Sequence, residues 1–117
     1  MGIDLKVMAS SFRERRGELL PTATLRFERD PGLFSKLSNE AVPCLVRPLP
    51  SDLKVGSYED AGLVFVDVDR YGHALTFLTS ADLAALDLPG EVSPWNRAVL
   101  AFLVALPDDA RIVLFWC

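Results

Sequence analysis

The sequence predicts an α+β fold: a single domain over residues 1–117, with an antiparallel or mixed sheet of about five strands and about three helices. Several short segments alternate apolar with polar side chains, as half-buried strands do. These segments follow one another along the chain, which favours antiparallel pairing. The chain then ends in a helix pattern, residues 94–106, and a strand pattern, residues 110–117, and we expect these two elements to be central.

The bulk composition is that of a globular chain. Of the 117 residues 50% are hydrophobic and 24% are charged, which suits one core and argues against disorder. The formal net charge of -4 combines both signs, so nucleic-acid binding by a general basic surface is not expected. The longest wholly apolar run, residues 98–106, is too short to cross a bilayer. No basic stretch leads into an apolar run at the start, and we expect a cytoplasmic protein without membrane contact.

The two cysteines, Cys44 and Cys117, fit that compartment as free thiols. A disulfide between them is the alternative, since it would tie down the end of the chain. Structural zinc requires four nitrogen or sulfur ligands, and the cysteines together with the single histidine, His73, supply fewer. We expect neither a metal nor a cofactor.

Two alternating segments, residues 3–9 and 22–28, predict the first two strands as half-buried hairpin partners. Their connection, residues 10–21, is long for a hairpin, and long ordered loops often carry function. It contains three candidates for binding an anion or nucleic acid: Arg13, Arg15 and Arg16. The alternative is a solvated loop, or strand ends that extend further than the pattern marks, and we favour that alternative.

The next part of the chain predicts one short helix and little other regular structure. Asp30 followed by Pro31 is typical of a helix start, and the pattern ends near Asn39. Residues 44–46 lie among prolines, which predicts an edge strand at most. Residues 51–62 are polar and rich in turn formers, so we assign them to a connection.

Residues 63–69 and 74–79 predict two further strands, joined as a hairpin. Thr79 and Asp82 then have the spacing of a capping box, in which each side chain bonds the other's backbone amide. A short helix through Leu83 follows. This segment therefore adds a strand pair and a helix to the fold.

The C-terminal helix has the strongest apolar pattern in the chain. Ser93 is a good N-cap, and Pro94 takes the first helical position, where its missing amide hydrogen costs nothing. Because nearly every residue up to Leu106 is apolar, we expect the helix to be covered on several sides, in the centre of the fold or at a subunit interface. The predicted core stripe is Trp95, Ala98, Val99, Phe102, Leu103 and Leu106.

The strand that follows, residues 110–117, is apolar on both faces. Ile112 and Leu114 point one way, and Val113 and Phe115 point the other. This pattern predicts an interior strand with a layer packed on each side of the sheet.

Polar candidates for a site lie in and beside the hairpin predicted over residues 63–79. Asp67 and Asp69 project from one strand face and could share a cation or act as an acid and base pair, although we favour a solvated hairpin face. Tyr71 and His73 lie in the turn, and an exposed tyrosine there is a candidate interface anchor.

Arg97 lies in the first turn of an otherwise apolar helix. If it is buried it needs a carboxylate partner, for which Asp67, Asp69 and Asp82 are candidates. If the first turn protrudes, the guanidinium is solvated, which is the interpretation we favour.

No catalytic motif stands out, so the leading hypothesis is a small interaction or binding module whose partner is another protein or a second copy of the chain. The alternative is a small enzyme or ligand-binding protein. Its polar pocket would be formed by Asp67, Asp69, His73 and Arg97.

Overall fold

Two β-sheets and three helices make up the described part of the chain. The computed structural model describes residues 3–9, 13–41, 44–50, 52–60, 62–87 and 90–117, with the backbone alone for residues 13–15 and 59. The predicted α+β class is confirmed. The elements in chain order are β1 (Leu5–Ala9), β2 (Arg13–Arg15), β3 (Glu18–Leu20), β4 (Ala23–Phe27), α1 (Pro31–Leu37), β5 (Arg47–Pro48), β6 (Lys54–Glu59), β7 (Gly62–Val66), β8 (Thr76–Thr79), α2 (Ser80–Ala84), α3 (Pro94–Val104) and β9 (Arg111–Trp116).

The larger sheet has five antiparallel strands in the order β4-β1-β9-β8-β5. β1 pairs with β4, with Leu5 opposite Phe27, as predicted for the first two strands. The other edge of β1 pairs with β9, with Leu5 opposite Trp116. β9 is therefore the middle strand of the sheet, which confirms the central position predicted for it.

The larger sheet is covered on both faces. Ile112 and Leu114 of β9 pack against the helices, while Val113 and Phe115 pack against the smaller sheet. The layers are thus helices, larger sheet and smaller sheet, as the two apolar faces of β9 predict. Each large side chain buried between the layers contributes about 2 kcal/mol to stability.

The smaller sheet has the order β2-β3-β6-β7, with β3 and β6 parallel. β2 and β3 form a hairpin whose turn residues, Arg16 and Gly17, have φ angles of 54° and 79°, as a tight hairpin turn requires. A Cβ on Gly17 would lie 2.9 Å from the backbone oxygen of Asp52. The predicted connection therefore contains a separate hairpin of the smaller sheet, which neither the solvated loop nor the extended strand ends predicted; its residues 10–12 lie outside the described part.

Two predictions for the middle of the chain are wrong. The predicted connection, residues 51–62, contains β6, where Val55 and Ser57 are fully buried. The sequence does not indicate this strand because glycine and serine, which it contains, are poor strand formers. β7 and β8 are also not hairpin partners, since β7 pairs with β6 and β8 pairs with β5 and β9. The turn predicted at residues 70–73 is present: Val68 pairs with Ala74 as an antiparallel bridge, and the Asp69 amide donates to the His73 carbonyl at 2.8 Å. Beyond this bridge, the two strands diverge into different sheets.

β1 is buried on both faces, whereas its alternating sequence predicts a half-buried strand. Lys6 is 3% exposed. Its Nζ donates to Ser57 Oγ at 2.5 Å and lies 4.6 Å from the centre of the Phe115 ring. A lysine usually indicates a solvated strand face. The sequence pattern therefore does not reveal that the smaller sheet covers the Lys6 side of β1.

The helices begin at the predicted caps. Asp30 caps α1, Thr79 and Asp82 form the reciprocal capping box of α2, and Ser93 caps α3. Proline follows Asp30 and Ser93 directly, where the helix needs no amide donor. Local capping chemistry thus fixes where each helix starts.

α3 packs against the larger sheet through a stripe that shares Val99 and Leu103 with the predicted one but lacks its aromatic residues. Trp95 and Phe102 are 50% and 42% exposed, so their assignment to the core is wrong. The buried residues of α3 are Asn96, Val99, Leu100 and Leu103. The centre of the buried stripe is rotated by about 80° from the predicted one, because the polar Asn96 belongs to the buried stripe.

Candidate functional site

The predicted site residues around β7 and β8 form a loop organised by one carboxylate. Asp69 is buried, and its Oδ1 accepts hydrogen bonds from the backbone amides of Tyr71 at 2.8 Å and His73 at 3.0 Å. Gly72, with φ of 82°, makes the turn between them possible. Asp69 thus holds the shape of the loop, and Asp67, Tyr71 and His73 are exposed.

Arg97 is exposed in the first turn of α3, where its guanidinium donates to the carbonyl oxygen of Val92 at 3.4 Å. Asp82, one of its predicted partners, instead pairs with Arg47 at 2.8 Å. Among the described residues, no hydrogen bond or ion pair joins Arg97 to the loop over residues 67–73. The polar pocket therefore stays a prediction, without a contact that assembles it.

The three arginines of the predicted binding loop lie in β2 and the turn after it. Arg13 and Arg15 belong to β2, and Arg16 is an exposed turn residue. Only the backbone of Arg13 and Arg15 is described, so anion binding by these arginines stays a prediction.

The cysteines do not form the alternative disulfide. Cys44 is exposed, Cys117 is half-buried, and both are free thiols. Cys117 Sγ accepts a long hydrogen bond from Arg26, at 3.8 Å. Within the ranges described above, no group of three or more His, Cys, Asp or Glu side chains is placed to hold a metal ion.

Lys6 and Ser57 form a buried pair of an amine and a hydroxyl. A lysine beside a serine can activate the hydroxyl as a nucleophile in some enzymes. Here Ser57 is fully buried, so a substrate has no access to its oxygen. The pair instead joins β1 of the larger sheet to β6 of the smaller one.

α3 presents an apolar surface to solvent, which we call the α3 face. It includes three large side chains that are 40–50% exposed: Trp95, Phe102 and Val104. Arg97 is the one charged residue between Pro94 and Ala105 in the sequence. Between the larger side chains runs a crest of exposed alanines: Ala98, Ala101 and Ala105. The sequence pattern does not reveal this surface, because Trp95 and Phe102 fall on the predicted core stripe.

A groove of about 450 Å³ runs between α2 and α3, beside the α3 face. Apolar side chains line it, with Arg97 as the cationic exception. The main apolar lining residues are Leu83, Leu86, Val92, Leu100 and Val104. The groove extends the apolar surface of α3 toward α2.

The start of α3 is fixed to the outer edge of β4. Trp95 Nε1 donates to the carbonyl oxygen of Arg26 at 2.7 Å. The fully buried Asn96 bonds both backbone groups of Glu28: Oδ1 accepts from the amide at 2.7 Å, and Nδ2 donates to the carbonyl at 2.9 Å. These contacts cover the β4 edge at its C-terminal end and set the rotation that leaves Phe102 outside.

An exposed ion pair lies at the same end of β4, next to Glu28. Arg29 Nε contacts Asp4 Oδ1 at 2.7 Å. The hydrogen bond from the Arg29 guanidinium and its positive charge lower the pKa of Asp4. Because both side chains are solvated, the pair contributes little to stability.

Comparison with family models, curated proteins and solved structures yields no match for this chain. None of the helices in the described ranges has both the length and the apolar character needed to cross a bilayer. What the protein does must therefore be inferred from its own surfaces.

Proposed function

We propose that the protein is a small interaction module that forms a homodimer through the α3 face. The observation that carries this proposal is the exposure of Trp95, Phe102 and Val104 on one helix. Contiguous exposed apolar surface is uncommon on soluble monomers and often marks an interface. Covering it would contribute about 25 cal/mol per Å² of apolar surface removed from water.

The alanine crest supports a helix as the covering element. Small side chains allow two helix axes to approach to about 8 Å. In an antiparallel pair related by a two-fold axis, Ala98 of one copy lies opposite Ala105 of the other. The two Phe102 rings then meet beside the axis, where an aromatic pair adds about 1 kcal/mol beyond its burial. The same patch serves both copies, as an isologous interface requires.

The charges around α3 support a second copy in the antiparallel direction. Arg97 lies at the start of the helix, and Asp108 and Asp109 are exposed just beyond its end. Antiparallel packing brings each Arg97 close to the aspartates of the other copy and to the negative end of its helix dipole. Parallel packing would set Arg97 against Arg97.

Sedimentation velocity over a wide concentration range tests the dimer. Phe102→Lys places a charge beside the two-fold axis and is expected to raise the dimer dissociation constant at least about 30-fold, the effect of losing a hot spot of about 2 kcal/mol. Leu63→Lys is the matched control, since it places the same charge on exposed β7, on the opposite side of the larger sheet. A wild-type protein that is monomeric up to about 1 mM, or equal weakening by both variants, contradicts the proposal.

A charge exchange tests the antiparallel direction separately. Arg97→Asp alone, and Asp108→Arg with Asp109→Arg, are each expected to weaken the dimer, and combining all three changes is expected to restore it. Circular dichroism checks that each variant is folded. A dimer that persists through all these charge variants but is weakened by Phe102→Lys would retain the α3 interface and reject the antiparallel arrangement.

A further inference from the structure

The edge strands of the two sheets differ in how their outer backbone groups are protected. An open edge recruits another strand unless it is covered, very short, charged or interrupted by proline. β4 is covered at its C-terminal end by Trp95 and Asn96. β5 has two residues, one of them Pro48, and β2 is the short charged segment Arg13–Arg15.

β7 has none of these protections. Its five residues, Gly62–Val66, include no charge and no proline. Leu63 and Val64 are 42% and 44% exposed. β7 pairs with β6 on one side, and no strand among the described residues pairs with its other side. Within the described ranges its outer edge is therefore unpaired, and its first three residues are exposed.

The pairing with β6 shows which backbone groups are available on that edge. Glu59 and Gly62 form the pair that closes the β6–β7 hairpin. Because hydrogen-bonded and non-hydrogen-bonded pairs alternate along an antiparallel ladder, the amide and carbonyl groups of Leu63 and Phe65 point outward. An added strand would bond these two residues.

Apolar side chains lie on both faces of β7. On the outer face, Leu63, Phe65 and Leu20 surround Gly56: a Cβ there would lie 3.1 Å from Leu63 and 3.2 Å from Leu20. On the inner face, Val66 packs against the core between the two sheets. A strand added to this edge would find apolar neighbours for its side chains on either side.

We propose that the β7 edge binds an extended peptide segment of another protein as an additional antiparallel or parallel strand. Backbone hydrogen bonds to Leu63 and Phe65 supply affinity, and apolar side chains of the peptide pack beside those of β7. The segment carries a lysine or arginine at the end that lies beside the β6–β7 turn. This edge and the α3 face lie on opposite sides of the larger sheet, so a dimer formed through α3 leaves β7 accessible.

Charge favours a foreign peptide over a second copy at this edge. Asp60 and Asp67, both exposed, bracket β7. The register that pairs Val55 with Val66 sets Lys54 opposite Asp67, so the uncompensated negative charge lies at the Asp60 turn. Antiparallel pairing of two β7 strands would bring Asp60 of one copy toward Asp67 of the other, an acidic residue that cannot neutralise it. A cationic peptide supplies the charge that a second copy lacks.

The test uses synthetic peptides with the sequence Lys-Val-Thr-Val-Thr-Val-Lys, capped at both ends, titrated into the full chain and followed by amide chemical shifts. Two further versions carry N-methyl groups on either the odd or the even inner residues. A β-strand bonds its neighbour through alternate residues only, so one methylated version is expected to bind and the other to lose binding at least about tenfold. Replacing the terminal lysines with glutamate is expected to weaken binding, more at low salt than at high salt.

Protein variants locate the binding edge. Leu63→Pro removes an outward amide and should abolish peptide binding, whereas Leu63→Thr keeps the amide and should change it less than about threefold. If Leu63→Pro does not fold, the difference in binding between the two methylated peptides decides the test.

The proposal is overturned if both methylated peptides bind alike, if no peptide binds, or if the glutamate version binds best. It is also overturned if Leu63→Pro dissociates a dimer, because β7 would then be occupied by a second copy.

Discussion

Asn96 is expected to be the polar side chain of α3 whose loss costs the most stability. Asn96→Ala removes hydrogen bonds of 2.7 and 2.9 Å to the backbone of Glu28, worth about 1 kcal/mol each. The vacated space in a fully buried position adds about 1 kcal/mol, and the better helix propensity of alanine returns about 0.5 kcal/mol. The net loss is about 2.5 kcal/mol, or about 10 °C in Tm for a chain of this size.

Urea unfolding followed by circular dichroism, at one fixed protein concentration, measures this loss. Glu28→Ala is the matched control: it keeps the backbone groups that Asn96 bonds, and we expect it to change stability by less than about 0.5 kcal/mol. Hydrogen exchange supplies a local measurement, since the Glu28 amide should exchange faster in Asn96→Ala alone. A stability within about 0.5 kcal/mol of wild type, with unchanged protection at Glu28, would refute the assignment of Asn96 as the contact that fixes α3 to β4.

Three further changes have defined outcomes. Arg29→Gln removes the partner that lowers the pKa of Asp4. Because the pKa of Asp4 is lower in the folded than in the unfolded protein, the variant should be destabilised at pH 6, and this effect should fade as the pH falls below about 4. An equal effect above and below that pH in urea titrations would contradict the prediction. Lys6→Ala should cost about 3 kcal/mol through the lost buried stem, clearly more than Lys6→Met in the same assay. Gly17→Ala should lower the free energy of unfolding by about 1–3 kcal/mol, and Tm by several degrees. The positive φ of Gly17 and its close backbone neighbour exclude a Cβ. Arg16→Gly should be nearly neutral.

The parts of the fold that follow from local chemistry could be predicted from the sequence. Ser93 and Pro94 mark the start of α3 because capping depends on neighbouring residues alone. The alternation of Ile112 with Val113 predicts a strand buried on both faces, which β9 is. These signals need no knowledge of distant parts of the chain.

The remaining features depend on contacts between distant segments. The orientation of α3 follows from a bond between Asn96 and Glu28, which lie far apart in the sequence. β6 is stabilised by its neighbours on both sides in spite of weak strand residues. Lys6 is polar in a buried strand because Ser57 and Phe115 receive its amine.

The same long-range connections explain what was missed and what stays untested in the candidate sites. Trp95 and Phe102 look like core residues in a helix pattern, and only the contact to β4 turns them outward. Asp69 accepts hydrogen bonds from backbone amides of its own loop. The spacing of two aspartates in the sequence does not reveal this structural role. Whether Asp67, His73 and Arg97 serve a common ligand stays a prediction.

The position of β1 has a consequence for synthesis on the ribosome. β1 lies between β4, which is made shortly after it, and β9, which is made last of the described strands. At about 5–20 residues per second, the edge of β1 that receives β9 waits on the order of 5–20 s for its partner. During that interval a nascent chain can exchange strands with a neighbour on the same messenger RNA. The strand that is most enclosed in the finished molecule is thus the one left open longest while the molecule is made.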